Sequence, residues 1–227
     1  MSSPALHPQG QSLNPERRGV KKGLYLIPSV FTAANIGMGF YAVMAAARGF
    51  QFVGTGVEQD LIHASTYLDN AAMAIGWAVL FDMLDGRIAR MTKTTTEIGV
   101  QLDSIADVVT FGLAPAVLAY VWGYGATLQE GSDLHRLAWF LSFMYLMCGA
   151  FRLARFNVQS SRPRILAEGT IKVDKKSFVG LPIPVAGGLI AALIHFKPLP
   201  LISYGVDRAR LYSVLLMLLG GTLSILM

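Results

Sequence analysis

Asp82 and Asp85 stand three residues apart, and Asp103 and Asp107 four apart. On a helix each pair therefore shares one face. Gly86, Ala89, Arg90 and Gly99 lie between the pairs, and the flanking sequence is apolar. Four unpaired anions in a low-dielectric setting are costly, and cations are the direct remedy. Carboxylate oxygens suit Mg²⁺, Mn²⁺ or Ca²⁺, and four of them suit two divalent ions. No His or Cys lies between Asp82 and Asp107 to suggest a softer metal. Gly86, Ala89 and Gly99 allow a helix backbone or a ligand to approach closely, and Arg90 offers a planar donor suited to phosphate. Divalent metal, arginine and close backbone approach together are how a protein holds a diphosphate. With roughly 5% usage per residue type, a chance match at all these positions is negligible.

Two plainer explanations compete. Arg87 and Arg90 also suit positive anchoring at the end of a membrane span, Arg87 more than Arg90. The carboxylates also suit a structural ion-pair network or an ion pathway. The residue types and their spacing exceed what charge neutralisation alone requires.

The elements that must carry these groups are membrane helices. Of the 227 residues, 53% are hydrophobic and 15% charged, against about 25% charged in soluble domains. Six apolar segments run over 24–47, 69–90, 97–124, 136–156, 178–196 and 209–227, each near the ~20 residues a span needs. The expected fold is an all-α integral membrane protein of about six transmembrane helices. Continuous apolar runs exclude the alternating pattern of a membrane β-barrel. Pro28 is expected in the first turn of the first segment, and Gly180, Pro182 and Pro184 at the opening of the fifth.

Residues 1–22 read as a polar tail with a basic end at Arg17, Arg18, Lys21 and Lys22, and residues 23–227 as the transmembrane catalytic domain. A cleaved signal peptide is disfavoured, because the run from Leu24 to Ala47 is too long for a signal core of about 7–15 residues. The second-to-third junction lies in a short turn, so those helices pack antiparallel and bring the carboxylates together. Lys and Arg concentrate in the tail, in that junction and in the fourth-to-fifth loop, which predicts a cytoplasmic N-terminus and a cytoplasmic carboxylate cluster. Lys172, Lys175 and Lys176 read as part of a solvated loop. The last segment stops at Met227 without a polar flank, and the expectation is a truncated chain with further spans missing. Cys148 reads as a buried small side chain, the scattered histidines form no metal spacing, and the net charge of +5 lacks the aromatic-interleaved patch of a nucleic-acid binder.

The pattern Asp82-x2-Asp85-Gly86-x2-Ala89-Arg90-x8-Gly99-x3-Asp103-x3-Asp107 resembles the signature of the CDP-alcohol phosphotransferases, with every fixed position met. The six-helix layout fits that family's bundle too. Longer stretches are similar to its phosphatidylserine synthase branch: Ile27 to Gly37, Phe81 to Arg87 with Val100 to Asp107, and Phe151 to Asn157 with Phe178 to Pro184. The end at Met227 departs from that branch.

The resemblance implies transfer of a phosphatidyl group from CDP-diacylglycerol to L-serine, with CMP released. It implies that Asp82, Asp85 and Asp103 bind metal, with Asp107 as a further ligand and the catalytic base. Thr32 and Asn35, three apart on one face of the first span, would then face the nucleotide, or else make a helix–helix hydrogen bond within the membrane. Asp82, Gly86, Ala89, Arg90 and Gly99 would complete the nucleotide and diphosphate site. Arg152 and Arg155 share a helical face and suit the serine carboxylate or a lipid phosphate, or simple anchoring. A homodimer in the inner membrane of a bacterial cell is implied as well. Another acceptor, glycerol phosphate or an inositol phosphate, is the nearest alternative, and a non-enzymatic ion carrier the more distant one.

Overall fold

A computed structural model gives the fold of residues 15–55, 57–92, 97–161 and 180–227. All regular structure among the described residues is helical. Helix α1 is Pro15–Val53 and α2 is Glu58–Thr92. They form the most extensively packed pair in the fold. Small residues on α1, Ala42, Ala46 and Gly49, permit this. A Cβ at Gly49 would already lie 3.3 Å from Leu68 Cδ2. Ala64, Leu68, Ala71, Ile75 and Ala78 form the facing stripe on α2, all fully buried. Small facing residues let two helices approach closely, which is how membrane helices associate without a hydrophobic driving force between them.

The third passage contains three pieces: α3 (Glu97–Asp107), a π turn (Val108–Leu113) and α4 (Ala114–Gly123). Helix α5 covers Asp133–Ser161, α6 Ile183–Phe196 and α7 Val206–Leu226, the last preceded by a 3₁₀ turn at Leu201–Tyr204. Pro182 caps α6, with Pro184 inside its first turn, as expected. Pro28 differs from its expected place. Helix α1 already runs from Pro15, so Pro28 lies in the helix interior, and helix extends over part of the segment read as a tail. The charged loop holding Lys172, Lys175 and Lys176 lies outside the described residues.

The described residues form six helical passages, in line with the expected all-α membrane architecture. Val30–Val53, Gly99–Gly123, Asp133–Val158 and Val206–Leu226 are long and apolar enough to cross a bilayer by length and composition. Helix α6 has 14 residues and is about 21 Å long at 1.5 Å per residue, short of the ~30 Å hydrocarbon core. Helix α2 is long enough but is interrupted by Asp69, Asp82 and Asp85. The outer faces carry Phe40, Trp77, Trp139, Phe140 and Leu218, all largely exposed. A helix apolar on every side belongs in lipid.

Buried polar groups are few and mostly paired. Tyr145 donates its hydroxyl to the Phe111 carbonyl at 3.0 Å, and Ser213 donates to the Gly123 carbonyl at 2.5 Å. Away from the acidic cluster, His195 of α6 meets Asp69 of α2 at 2.6 Å. Trp122 Nε1 donates to the carbonyls of Lys197 and Leu199, each at 2.9 Å. In hydrocarbon there is no water to satisfy such groups, so side chains must do so.

Candidate functional site

Helix α2 runs towards the junction with α3, and α3 returns from it. Asp82 and Asp85 lie within the last three turns of α2, and Asp103 and Asp107 in the second half of α3, the first piece of the third passage, so both pairs lie towards the same end of the bundle. The i, i+4 spacing on α3 aims Asp103 and Asp107 together. One carboxylate oxygen from each of Asp82, Asp103 and Asp107 lies within 4.8 Å of the other two. The carboxyl groups of Asp82 and Asp107 lie side by side. Two carboxylates this close need a proton or a cation between them. Asp107 is buried, and its Oδ1 has no hydrogen-bond partner.

Asp85 stands outside this group of three. It is 6% exposed, and its Oδ2 accepts the hydroxyl of Thr32 at 2.6 Å. It is still close enough to act electrostatically on Asp103. Asn35, one turn along α1 from Thr32, is 1% exposed and lies beside Asp107. Neither Nδ2 nor Oδ1 of its amide makes a hydrogen bond of ordinary geometry. A buried amide with both ends unsatisfied is uncommon, and here it borders an acidic cluster.

The donor set fits a hard divalent cation: three convergent carboxylate oxygens, with a fourth carboxylate adjacent. The unpartnered atoms of Asp107 and Asn35 fit a site that also takes a polar ligand.

Gly86 and Gly99 are exposed near the helix ends that lead to the junction. The side chains of Ala89 and Arg90 lie outside the described residues. Arg152 is half-buried on α5 and donates to the Gly180 carbonyl at 3.4 Å, while Arg155 is exposed. Arg152 thus ties α5 to the segment leading into α6.

Several neighbours of the cluster carry no signal in the sequence pattern. Asn157 of α5 donates to Ser104 Oγ at 2.8 Å, bracing α3 between the two aspartates it contributes. Its place in the stretch Phe151 to Asn157 is the one hint. Ser104 and Asn157 also line an open, largely apolar cavity of about 740 Å³ between α3 and α5, with Gln101, Ile105, Val108 and Leu153. Thr110 donates to the Asn35 carbonyl at 3.0 Å. Gly39 lets that contact form, since a Cβ there would lie 2.8 Å from Thr110 Cα.

A transmembrane helix bundle with an acidic cluster of this spacing defines a class. The family model for CDP-alcohol phosphatidyltransferases matches residues 25–226, and the chain belongs to that family. Within it, the chain is 33% identical over 171 residues to CDP-diacylglycerol–serine O-phosphatidyltransferase of Helicobacter pylori, covering 75% of this chain and 58% of the relative. The proteins of the same name from Saccharomyces cerevisiae and Methanocaldococcus jannaschii are 34% and 36% identical, over 72% and 66% of this chain and 51% and 59% of theirs. The chain thus spans between half and three fifths of the length of these three relatives.

Proposed function

We propose that this protein transfers the phosphatidyl group of CDP-diacylglycerol to the hydroxyl of L-serine, giving phosphatidylserine and CMP. The observation that carries the proposal is the meeting of Asp82, Asp103 and Asp107 from two antiparallel passages within 4.8 Å. The relatives' names support the choice of serine.

Asp82, Asp85 and Asp103 would hold two divalent cations, Mg²⁺ or Mn²⁺, with Asp107 as a further ligand. When bound, the cations neutralise the diphosphate oxygens and the charge that develops on departing CMP. The Asp107 carboxylate takes the proton of the serine hydroxyl, a poor nucleophile without a base in hydrogen-bond reach. Its unpartnered Oδ1 suits that task. The serine oxygen forms a bond to the phosphorus that bears diacylglycerol, and the bond from that phosphorus to the bridging oxygen breaks. The electron pair leaves with CMP. A direct in-line displacement inverts a chiral phosphorus, whereas a covalent phosphatidyl-enzyme would retain its configuration.

Thr32 holds Asp85 in register, and Asn35 presents its amide to the nucleotide, where it can read a cytosine edge. Gly86, Ala89 and Gly99 let the diphosphate lie close to the backbone, and Arg90 meets it. Arg152 and Arg155 bind the serine carboxylate or a lipid phosphate. The catalytic domain comprises residues 23–227, preceded by the basic sequence of residues 1–22. The site opens to the cytoplasm and the inner leaflet, in a bacterial inner membrane. The charge asymmetry of the loops supports that orientation. The protein works as a homodimer, for which the apolar, little-buried face of α5 offers a surface.

CMP release from CDP-diacylglycerol with Mn²⁺ or Mg²⁺, with and without L-serine, tests this. Serine-dependent release that EDTA abolishes is the expected result. Release only with glycerol phosphate or an inositol phosphate would discard serine and keep the reaction class. Cation flux in liposomes without any CMP would discard the enzyme.

A further inference from the structure

The π turn Val108–Leu113 starts at the residue after Asp107, and Pro115 accounts for it. In an α-helix the Phe111 carbonyl would accept the N–H of residue 115. Proline has no N–H, and its ring crowds the carbonyl four residues back. The helix widens here, and the Ala114 N–H reaches back to the Val109 carbonyl. A π turn takes in one residue more than an α turn. That residue rotates the face carrying Asp103 and Asp107 by roughly 100° relative to α4.

Three other helices hold the turn. From α5, Tyr145 donates its hydroxyl to the Phe111 carbonyl at 3.0 Å, filling the place that Pro115 leaves empty. Tyr145 is 2% exposed and Phe111 fully buried, so water has no access to replace that bond. From α1, the Asn35 carbonyl accepts the Thr110 hydroxyl. From α6, Gly187 packs so closely that a Cβ there would lie 3.0 Å from the Phe111 carbonyl oxygen. Single π turns inside α-helices occur often at functional sites.

We propose that Tyr145 is a positioning residue for the acidic cluster. Its hydroxyl, on the Phe111 carbonyl, holds the π turn open and so keeps Asp107 aimed at Asp82 and Asp103. The proposal rests on the reading of those carboxylates as cation ligands.

The test is Mn²⁺ binding to the full chain in nanodiscs, followed by electron paramagnetic resonance without substrate. Tyr145→Phe, Pro115→Ala and Asp107→Asn are compared with the parent, each with a thermal melt. Tyr145→Phe is expected to weaken Mn²⁺ binding about tenfold, the low end of the range for groups that orient metal ligands. Pro115→Ala supplies the missing N–H and lets the turn close to α-helix. It should melt at or above the parental temperature and yet bind Mn²⁺ at least tenfold more weakly. A purely structural role would move stability and affinity in the same direction. If Asp107→Asn weakens Mn²⁺ binding while Tyr145→Phe stays within about twofold of the parent, Tyr145 does not position the cluster and the metal reading stands. Parental affinity in Pro115→Ala overturns the proposal likewise. If Asp107→Asn itself leaves Mn²⁺ binding unchanged, the metal reading fails and this inference with it.

Discussion

Replacing Thr32 by Val removes one hydroxyl and keeps the branching and nearly the volume of the side chain. The hydroxyl is 2.6 Å from Asp85 Oδ2, and the two residues are 5% and 6% exposed. Water therefore cannot readily take its place. A hydrogen bond to a charged group contributes about 1.5–3 kcal/mol, and leaving a buried acceptor unmet costs at least as much. If that energy serves to hold Asp85 towards the metal site, Thr32→Val should lower kcat/KM by a factor of about 10 to 150 at subsaturating metal, since ~1.4 kcal/mol is tenfold. The loss should appear mainly as a higher Mn²⁺ requirement, because orienting a ligand affects metal affinity first. The assay is CMP release over a Mn²⁺ titration at fixed CDP-diacylglycerol and serine. Thr32→Ser, which keeps the hydroxyl, should remain within a few-fold of the parent. A Thr32→Val enzyme with parental metal dependence, beside an inactive Asp85→Asn, would show that Asp85 needs no hydroxyl from α1.

Three further outcomes are expected. Asp107→Asn should reduce CMP release by about 10²–10⁴-fold, the usual contribution of a positioned general base, and binding of CDP-diacylglycerol in a filter assay should survive. Gly39→Ala should destabilise the protein by roughly 1–3 kcal/mol, as overpacking does, because the new Cβ meets the Thr110 backbone at 2.8 Å; Gly76→Ala, with nothing within 4 Å, should leave the melting temperature in detergent unchanged or higher. Asn35→Leu should raise the KM for the CDP donor and leave the serine KM near its parental value, and an equal effect on both would remove Asn35 from the nucleotide side of the site.

The helical passages and the acidic cluster were legible because each rests on local pattern. A span is a run of apolar residues, and i, i+3 or i, i+4 spacing sets a shared face without knowledge of any neighbour. Thr32 and Asn35 share a face by the same spacing, but it was the family resemblance that singled them out. What escaped depends on contacts distant in sequence. Tyr145 meets Phe111 across 34 positions, Asn157 meets Ser104 across 53, and Thr110 meets Asn35 across 75. No periodicity within one helix encodes such a partner. The π turn is an intermediate case: the expected segment over 97–124 carried no break, although Pro115 within it could have pointed to one, and the form the disruption takes depends on Tyr145 and Gly187. The interior position of Pro28 shows the limit of judging a helix start from hydrophobicity, since the helix continues beyond the apolar run into basic sequence.

One stripe of α1 explains why this helix belongs to the site although it contributes no carboxylate. Thr32, Asn35, Gly39, Ala42, Ala46, Gly49 and Val53 recur every three or four residues, and all are buried. From Gly39 to Val53 the stripe is small and apolar, which draws α1 against the rest of the bundle. In its first turn the same stripe turns polar: Thr32 meets Asp85, and Asn35 lies beside Asp107. A polar residue on a buried membrane face is expensive unless it has a partner. Thr32 has one in Asp85, while the Asn35 amide beside Asp107 makes no hydrogen bond of ordinary geometry. The close packing below fixes how near those two side chains come to the carboxylates, so a change at Gly39 should reach the site as well as the fold. Kinetics of Gly39→Ala at a temperature where the variant stays folded separate the two effects. A lowered kcat/KM in the folded variant ties the packing stripe to catalysis, and a parental value would confine Gly39 to stability.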